Sequence, residues 1–131
     1  MLPRVDCLIP TFNNLDYLLP ALKSIYATKC SYPLRIIVVN NGDPILKKFV
    51  KWDDDMILVQ AEKNLGWEGG LKLGLQHSDA EFVCFANDDI FVPHASYNWL
   101  RIMMSRFSDP LVGAVGPSSN CVMGTQNIWQ S

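Results

Sequence analysis

Residues 34–43 read LRIIVVNNGD, and the way this stretch is built decides the fold. From Leu34 to Val39 the side chains are dense in β-branched types, and Arg35 is the one polar residue among them. A strand with one wet face alternates apolar and polar positions; a run that stays apolar belongs to a strand buried on both faces of a parallel sheet. The run then stops at Asn40-Asn41-Gly42-Asp43-Pro44, a group of turn-forming residues in which Asp43 is placed to cap a short helix beginning at Pro44.

The same strand-then-polar-loop unit recurs on either side. Val5 to Pro10 (VDCLIP) reads as a strand and is followed by Thr11-Phe12-Asn13-Asn14. Leu15, Leu18, Leu19, Leu22, Ile25 and Tyr26 then fall at helical spacing, with Asn14 or Asp16 as the cap. Pro20 lacks a backbone donor, so the regular helix is expected to start late or to bend there. A third strand, Met56 to Gln60, leads into Asn64-Leu65-Gly66-Trp67-Glu68-Gly69-Gly70 and a helix carrying Leu71 and Leu75. Asp53-Asp54-Asp55, just before that strand, reads as a solvated turn. A fourth strand, Phe82 to Ala86, ends in Asn87-Asp88-Asp89. After Pro93 a helix aligns Trp99, Leu100, Met103, Met104 and Phe107 as a core stripe, Val112 to Val115 reads as a last strand-like piece, and residues 118–131 read as an irregular polar tail.

Strands alternating with helical crossovers imply a doubly wound α/β fold, with a mainly parallel sheet and helices on both faces. Ligands of such sheets sit beyond the carboxyl ends of the strands. The clusters Thr11–Asn14, Asn40–Asp43, Asn64–Gly70 and Asn87–Asp89 all follow strands, so they are expected to converge on one rim.

Composition narrows the partners. The chain has 131 residues, 49% of them hydrophobic, which suits one domain with a sizeable core and excludes disorder. Lys and Arg number 11 against 13 Asp and Glu, without a basic block, which argues against nucleic acid as a partner. Cys7, Cys30, Cys84 and Cys121 are far apart and form no CxxC pair; four reduced thiols in a cytoplasmic protein are expected rather than a zinc cluster or a disulfide scaffold. No window approaches the roughly eighteen apolar residues of a transmembrane segment, and Met1 to Asn14 lacks the basic and apolar halves of a leader.

The rim carries a coherent chemistry. A carboxylate pair such as Asp88-Asp89 suits a hard divalent cation, because Mg²⁺ binds through one or two carboxylates together with its substrate's phosphates. Taken alone, the same residues read as a solvated turn ahead of Pro93. Gly69 and Gly70 permit close approach of a ligand to backbone, and amides at a helix start can receive a diphosphate. Neither GxGxxG nor GxxxxGK[ST] is present, so the common dinucleotide and P-loop readings fail. Asn40 and Asn41 offer amides able to pair with a nucleobase edge, although asparagine in a turn commonly bonds its own backbone. Phe12 offers a ring for stacking, a contact of about 1–3 kcal/mol per base in single-strand binders.

Taken in order, PTFNN, IIVVNNGD, KNLGWEGG and FANDDI resemble the nucleotide-binding half of the GT-A glycosyltransferases of family two, especially the rhamnosyltransferase-like members with an NLG-aromatic-x-GG segment. The resemblance runs from about Val5 to Ser118. It implies that Pro10, Thr11 and Phe12 wall the uracil or thymine base, and that Asn41 with Asn40 stands where the family often has an acidic residue reading that base. It implies that Gly69 and Gly70 line the donor, and that Asn87-Asp88-Asp89 is the DXD motif. In that motif Asp89 holds the Mg²⁺ or Mn²⁺ bridging the diphosphate, Asp88 lies near the ribose, and Asn87 replaces the first carboxylate. Leu71 stands where many members have a polar or basic residue near the donor, with Lys72 beside it.

The implied reaction is direct displacement at the anomeric carbon of a UDP- or dTDP-sugar, with inversion, onto a hydroxyl of a saccharide acceptor. The resemblance puts the catalytic base downstream of the DXD motif, beyond Ser131, with much of the acceptor site. Residues 1–131 are thus expected to form a single nucleotide-sugar-binding domain that needs a C-terminal half or a partner chain. Two competing readings are a non-catalytic nucleotide-sugar-binding module and a nucleotidyltransferase; the latter is disfavoured because Pro10-Thr11-Phe12-Asn13-Asn14 is not a basic Gly-rich loop.

Overall fold

The computed structural model describes residues 1–29 and 32–118. The chain divides into two compact units, Met1–Asn98 and Trp99–Ser131. The expected tail beyond Ser118 lies outside the described residues, as do Cys30 and Cys121.

The described residues of the first unit form four strands, β1 (Val5–Thr11), β2 (Leu34–Asn40), β3 (Met56–Gln60) and β4 (Phe82–Phe85). Helix α1 (Leu15–Thr28) connects β1 to β2, and α2 (Gly66–Leu75) connects β3 to β4. Every strand pairing is parallel and the order is β3-β2-β1-β4, so the expected α/β sheet is present. The chain lays β2 and then β3 to one side of β1, and returns to place β4 on the other. This reversal makes the gap between the ends of β1 and β4 a topological switch point, where loops leaving neighbouring strands part and leave a crevice.

Continuous apolar runs are required because both faces of the sheet are covered. Leu8, Ile37, Val39 and Val59 pack with Leu71 of α2, and Ile57 and Leu73 pack against that cluster. Cys7, Ile9, Ile36 and Val38, which alternate onto the opposite face, are equally buried. Helix α1 buries the stripe Leu18, Ala21, Leu22 and Ile25. Among the described residues, no helix is long and apolar enough to cross a membrane.

Several local expectations are corrected. Helix α1 starts at Leu15 and runs through Pro20 as one helix; Pro20 is on the exposed side, where water can take the carbonyl it leaves free. Asn14 is the residue at the cap, but through its backbone carbonyl, which accepts from Leu18 N at 3.0 Å, and not through its side chain. Asp43 likewise precedes a 3₁₀ turn (Pro44–Lys48) without a side-chain bond. Strand β4 ends at Phe85, one residue short.

In the second unit, α3 (Trp99–Ser105) gives way to a 3₁₀ turn over Arg106–Ser108. Leu100 is its buried residue, whereas Trp99, Met103, Met104 and Phe107 are only half-buried, so the stripe is less of a core than its spacing implied. Val112 to Val115 is not a strand. Gly113 interrupts so short a run, and a strand exists only where a neighbour completes its ladder.

At the amino ends of the strands lies a buried carboxylate. Asp6, fully inaccessible on β1, accepts from Arg35 of β2 at 3.1 Å (Nε) and 2.6 Å (Nη2), and from Ser78 Oγ at 2.7 Å. Arg4 Nε lies 3.2 Å from the same carboxylate, and Arg35 also reaches the exposed Asp79 at 2.9 Å. Asp6 and Arg35 are direct partners in the β1–β2 register, so the pairing is a property of strand alignment.

Candidate functional site

The switch point is closed by one side-chain hydrogen bond. Thr11, buried at the last position of β1, donates from Oγ1 to Asp88 Oδ2 at 2.6 Å. Asp88 sits in the turn that follows β4, so the bond ties together the two loops that part at this point. A carboxylate accepting so short a bond from a buried hydroxyl is held in orientation.

Asp89 and Asn87 are exposed on either side of the half-buried Asp88. Among the described residues, none hydrogen-bonds with the side chain of either. The different environments of Asp88 and Asp89 come from the turn after β4 and not from strand alternation, because the ladder is already finished at Ala86, whose N–H donates to Leu8 O at 3.1 Å.

The other loops reach the same rim. Asn41 N–H donates to Thr11 O at 2.8 Å, and Asn13 Oδ1 accepts from Asp43 N–H at 2.9 Å, which joins the loop after β1 to the loop after β2. Asn13 adopts φ 50°, in the left-handed region that asparagine tolerates. The Asn41 side chain connects onward to the start of α2: its Nδ2 donates to Gly66 O at 3.0 Å and its Oδ1 accepts from Leu65 N–H at 3.4 Å. Gly66 has φ +68°, which a side chain would strain. Gly70 is packed so closely that an added Cβ would lie 2.9 Å from Pro10 Cβ and 3.1 Å from Asn41 Nδ2. Thus Pro10, Thr11, Asn41 and Gly70 form one contiguous patch, whereas Gly69 packs against Leu65, where an added Cβ would lie 2.7 Å from Leu65 Cβ.

Asn40 is almost inaccessible and its amide is used internally. Nδ2 donates to Asp43 O at 2.7 Å and to Gln60 Oε1 at 2.8 Å, while Oδ1 accepts from Gly42 N–H at 3.0 Å. Gln60 completes this knot by donating to the carbonyls of Asn40, Gly42 and Ala61 at 3.0–3.1 Å. Sequence reasoning missed Gln60; its place at the carboxyl end of a strand, opposite Asn40 in register, was the available signal.

Aromatic side chains are exposed near this rim, among them Phe12 after β1 and Trp67 in the first turn of α2, each 54% accessible. Leu71 points into the core and Lys72 pairs with Glu68 at 2.7 Å, so neither adds a free cation. His77 and His94 are exposed. Among the described residues, no group of three or more His, Cys, Asp or Glu forms a complete metal cage. Asp88 and Asp89 nevertheless supply the hard oxygen donors that Mg²⁺ or Mn²⁺ takes alongside substrate phosphates, so the donor set fits such an ion.

Residues 6–131 match the family model described as glycosyl transferase family 2. The chain belongs to that family. A curated relative, an N-acetylglucosaminyltransferase of Azorhizobium caulinodans, is 28% identical over 98 residues, which are 69% of this chain and 24% of the relative. Among solved structures, the mannosyltransferase PcManGT of Pyrobaculum calidifontis, in complex with GDP-Man and Mn²⁺, superposes with a TM-score of 0.78 at 25% identity, over 91% of this chain and 36% of its own. Residues 1–349 of S. aureus TarS, in complex with UDP-GlcNAc, share the fold with a TM-score of 0.65 at 20% identity, over 88% of this chain and 37% of the other. The fold is that of the GT-A glycosyltransferases, and the chain spans about a quarter to two fifths of the length of these family members.

Proposed function

We propose that this chain forms the donor-binding part of a glycosyltransferase that takes a UDP- or dTDP-sugar with Mg²⁺ or Mn²⁺ and transfers the sugar, with inversion, to a hydroxyl of a saccharide acceptor. The observation that carries this reading is the Thr11–Asp88 hydrogen bond across the switch point. It holds the Asp88 carboxylate at the switch point, which supports a role for Asp88 beside the ribose, and Asp89 is accessible as the residue that would hold the metal, with Asn87 beside it. The cation, when bound, neutralises charge on the departing nucleoside diphosphate.

Pro10, Thr11 and Phe12 wall the base, and the exposed Phe12 ring supplies the stacking face. Asn40 and Asn41 contribute chiefly by fixing the loops of that wall, since their amides already bond Asp43, Gln60, Leu65 and Gly66. The half-buried Gly69 would let the diphosphate approach the backbone of the first turn of α2, Gly70 lets that turn pack against Pro10 and Asn41, and the positive end of the helix favours the negative charge. The acceptor's proton would pass to a carboxylate base supplied with the acceptor site.

A thermal-shift screen of UDP-, dTDP- and GDP-sugars with and without Mn²⁺ tests this. A saturating UDP- or dTDP-sugar should raise the melting temperature by several degrees in the presence of Mn²⁺, since ligand at 100 times Kd adds about 2.7 kcal/mol. No shift with any donor, or a shift indifferent to the metal, would refute it. Binding without transfer or hydrolysis would identify a donor-binding module rather than a complete enzyme.

Thr11→Val keeps the shape of the side chain and removes the hydroxyl. Nucleotide affinity with Mn²⁺, measured by calorimetry, should fall about tenfold, because a hydrogen bond to a charged group contributes roughly 1.5–3 kcal/mol. Unchanged affinity would show that Thr11 does not position Asp88.

A further inference from the structure

Two nucleophiles, the buried Cys7 and the half-buried Cys84, have no part in the donor site, and they face each other. Cys7 of β1 and Cys84 of β4 are direct partners in the parallel register, and both are free thiols. Residues paired in this way on neighbouring strands project from the same face. Adjacent strands lie about 4.7–4.9 Å apart, inside the window of about 4.4–6.8 Å between the Cα atoms of disulfide-bonded cysteines.

We infer that Cys7 and Cys84 form a peroxide-sensitive dithiol that closes to a disulfide stapling β4 to β1. The two thiols are not equivalent. Hydrogen bonding with Cys84, reinforced by burial, pushes the Cys7 thiol well up, while the same contact, opposed by burial, brings Cys84 down. Cys84 is also the less buried of the pair, so it is the group that meets the oxidant first. Its thiolate attacks one oxygen of hydrogen peroxide, giving a sulfenic acid and hydroxide. The Cys7 sulfur then displaces the sulfenic hydroxyl, which leaves as water with the Cys7 proton. Overall two thiols lose two hydrogens, and one peroxide becomes two waters.

The staple has a mechanical role. Among the described residues β4 is an edge strand of four residues paired with β1, and its Val83 and Phe85 are exposed. A disulfide at Cys7–Cys84 would fasten this strand beneath the Thr11–Asp88 bond, and it closes a loop containing more than half of the chain.

The test uses the full chain, reduced, desalted and treated with hydrogen peroxide, then digested with trypsin without reductant. Residues 5–23 should appear joined to residues 73–101, two hydrogen masses below the sum of the free peptides, and dithiothreitol should separate them. The oxidised protein should melt about 5 °C or more above the reduced form, and Cys84→Ser should abolish that difference. Mapping in the unmodified sequence requires no variant to fold. Full retention of titratable thiols, oxidation of Cys84 to sulfinic acid without a crosslink, or a disulfide to Cys30 or Cys121 would overturn the inference.

Discussion

Asp89→Ala is expected to remove the metal-dependent part of nucleotide binding, lowering affinity for UDP in the presence of Mn²⁺ by about 100-fold or more, which corresponds to roughly 2.7 kcal/mol. The reasoning is electrostatic. A diphosphate approaching Asp88 and Asp89 meets like charge, and only a divalent cation placed between them turns the contact attractive. Asp88 is partly committed to Thr11, so Asp89 is the carboxylate with oxygens free for the ion. Because Asp89 is exposed, its loss should leave stability within about 0.5 kcal/mol, which separates a binding defect from unfolding. Calorimetric titration of UDP with Mn²⁺, and again with EDTA, provides the measurement. If the variant binds as tightly as the parent, and as dependently on metal, Asp89 is not the metal ligand. If it loses affinity equally with and without Mn²⁺, the residue acts on the nucleotide by another route.

The sheet was legible because burial on both faces leaves a mark in one dimension. LRIIVV could not serve a half-wet strand, and each such run ended in turn-forming residues, so the parallel sheet and its loaded rim could be read directly from the chain. Connections over long sequence separations were not legible in the same way. Thr11 meets Asp88, and Asn41 meets the start of α2, because strand order brings them together, and that order is absent from local pattern. Asn40 shows the limit of reasoning from residue type. An amide suited to a base edge is equally suited to bonding Gln60, Gly42 and Asp43, and burial decides between the two uses. Short segments also misled: Val112 to Val115 has strand-like composition, yet composition cannot supply a neighbouring ladder. Asp6 was hidden for the opposite reason, as a charge inside a run otherwise read as apolar, although its register partner Arg35 occupies the equivalent second position of β2.

That pair gives the largest expected effect on stability. Asp6→Ala should destabilise the fold by about 3–5 kcal/mol, as expected when one member of a buried ion pair is removed. Asp6 has no exposure, and its carboxylate accepts from Arg35 and Ser78, with the charge of Arg4 3.2 Å away. Without it the Arg35 guanidinium, 17% exposed, keeps the solvent-side Asp79 and the His77 carbonyl, and the Ser78 hydroxyl loses its acceptor. Asp79, 77% exposed, pairs with the same arginines from the solvent side, where water and salt screen the pair; Asp79→Asn is therefore the matched weak control. For Asp79, burial raises the pKa, but the hydrogen bonds and charges of Arg4 and Arg35 outweigh it and hold the carboxyl below its usual value. A lowered folded pKa means the contribution exists above the ordinary carboxylate range and is lost as pH falls through the lowered value, so Asp79→Asn should match the parent in acid and differ slightly at neutral pH. Urea denaturation at pH 7 measures both variants. An unfolding free energy for Asp6→Ala within about 1 kcal/mol of the parent would mean that water replaces the lost carboxylate beside Arg35 and that the foot of the sheet is less dry than its packing implies. Joint replacement, Asp6→Leu with Arg35→Met, should restore most of the stability, because apolar side chains filling the same space leave no charge to solvate.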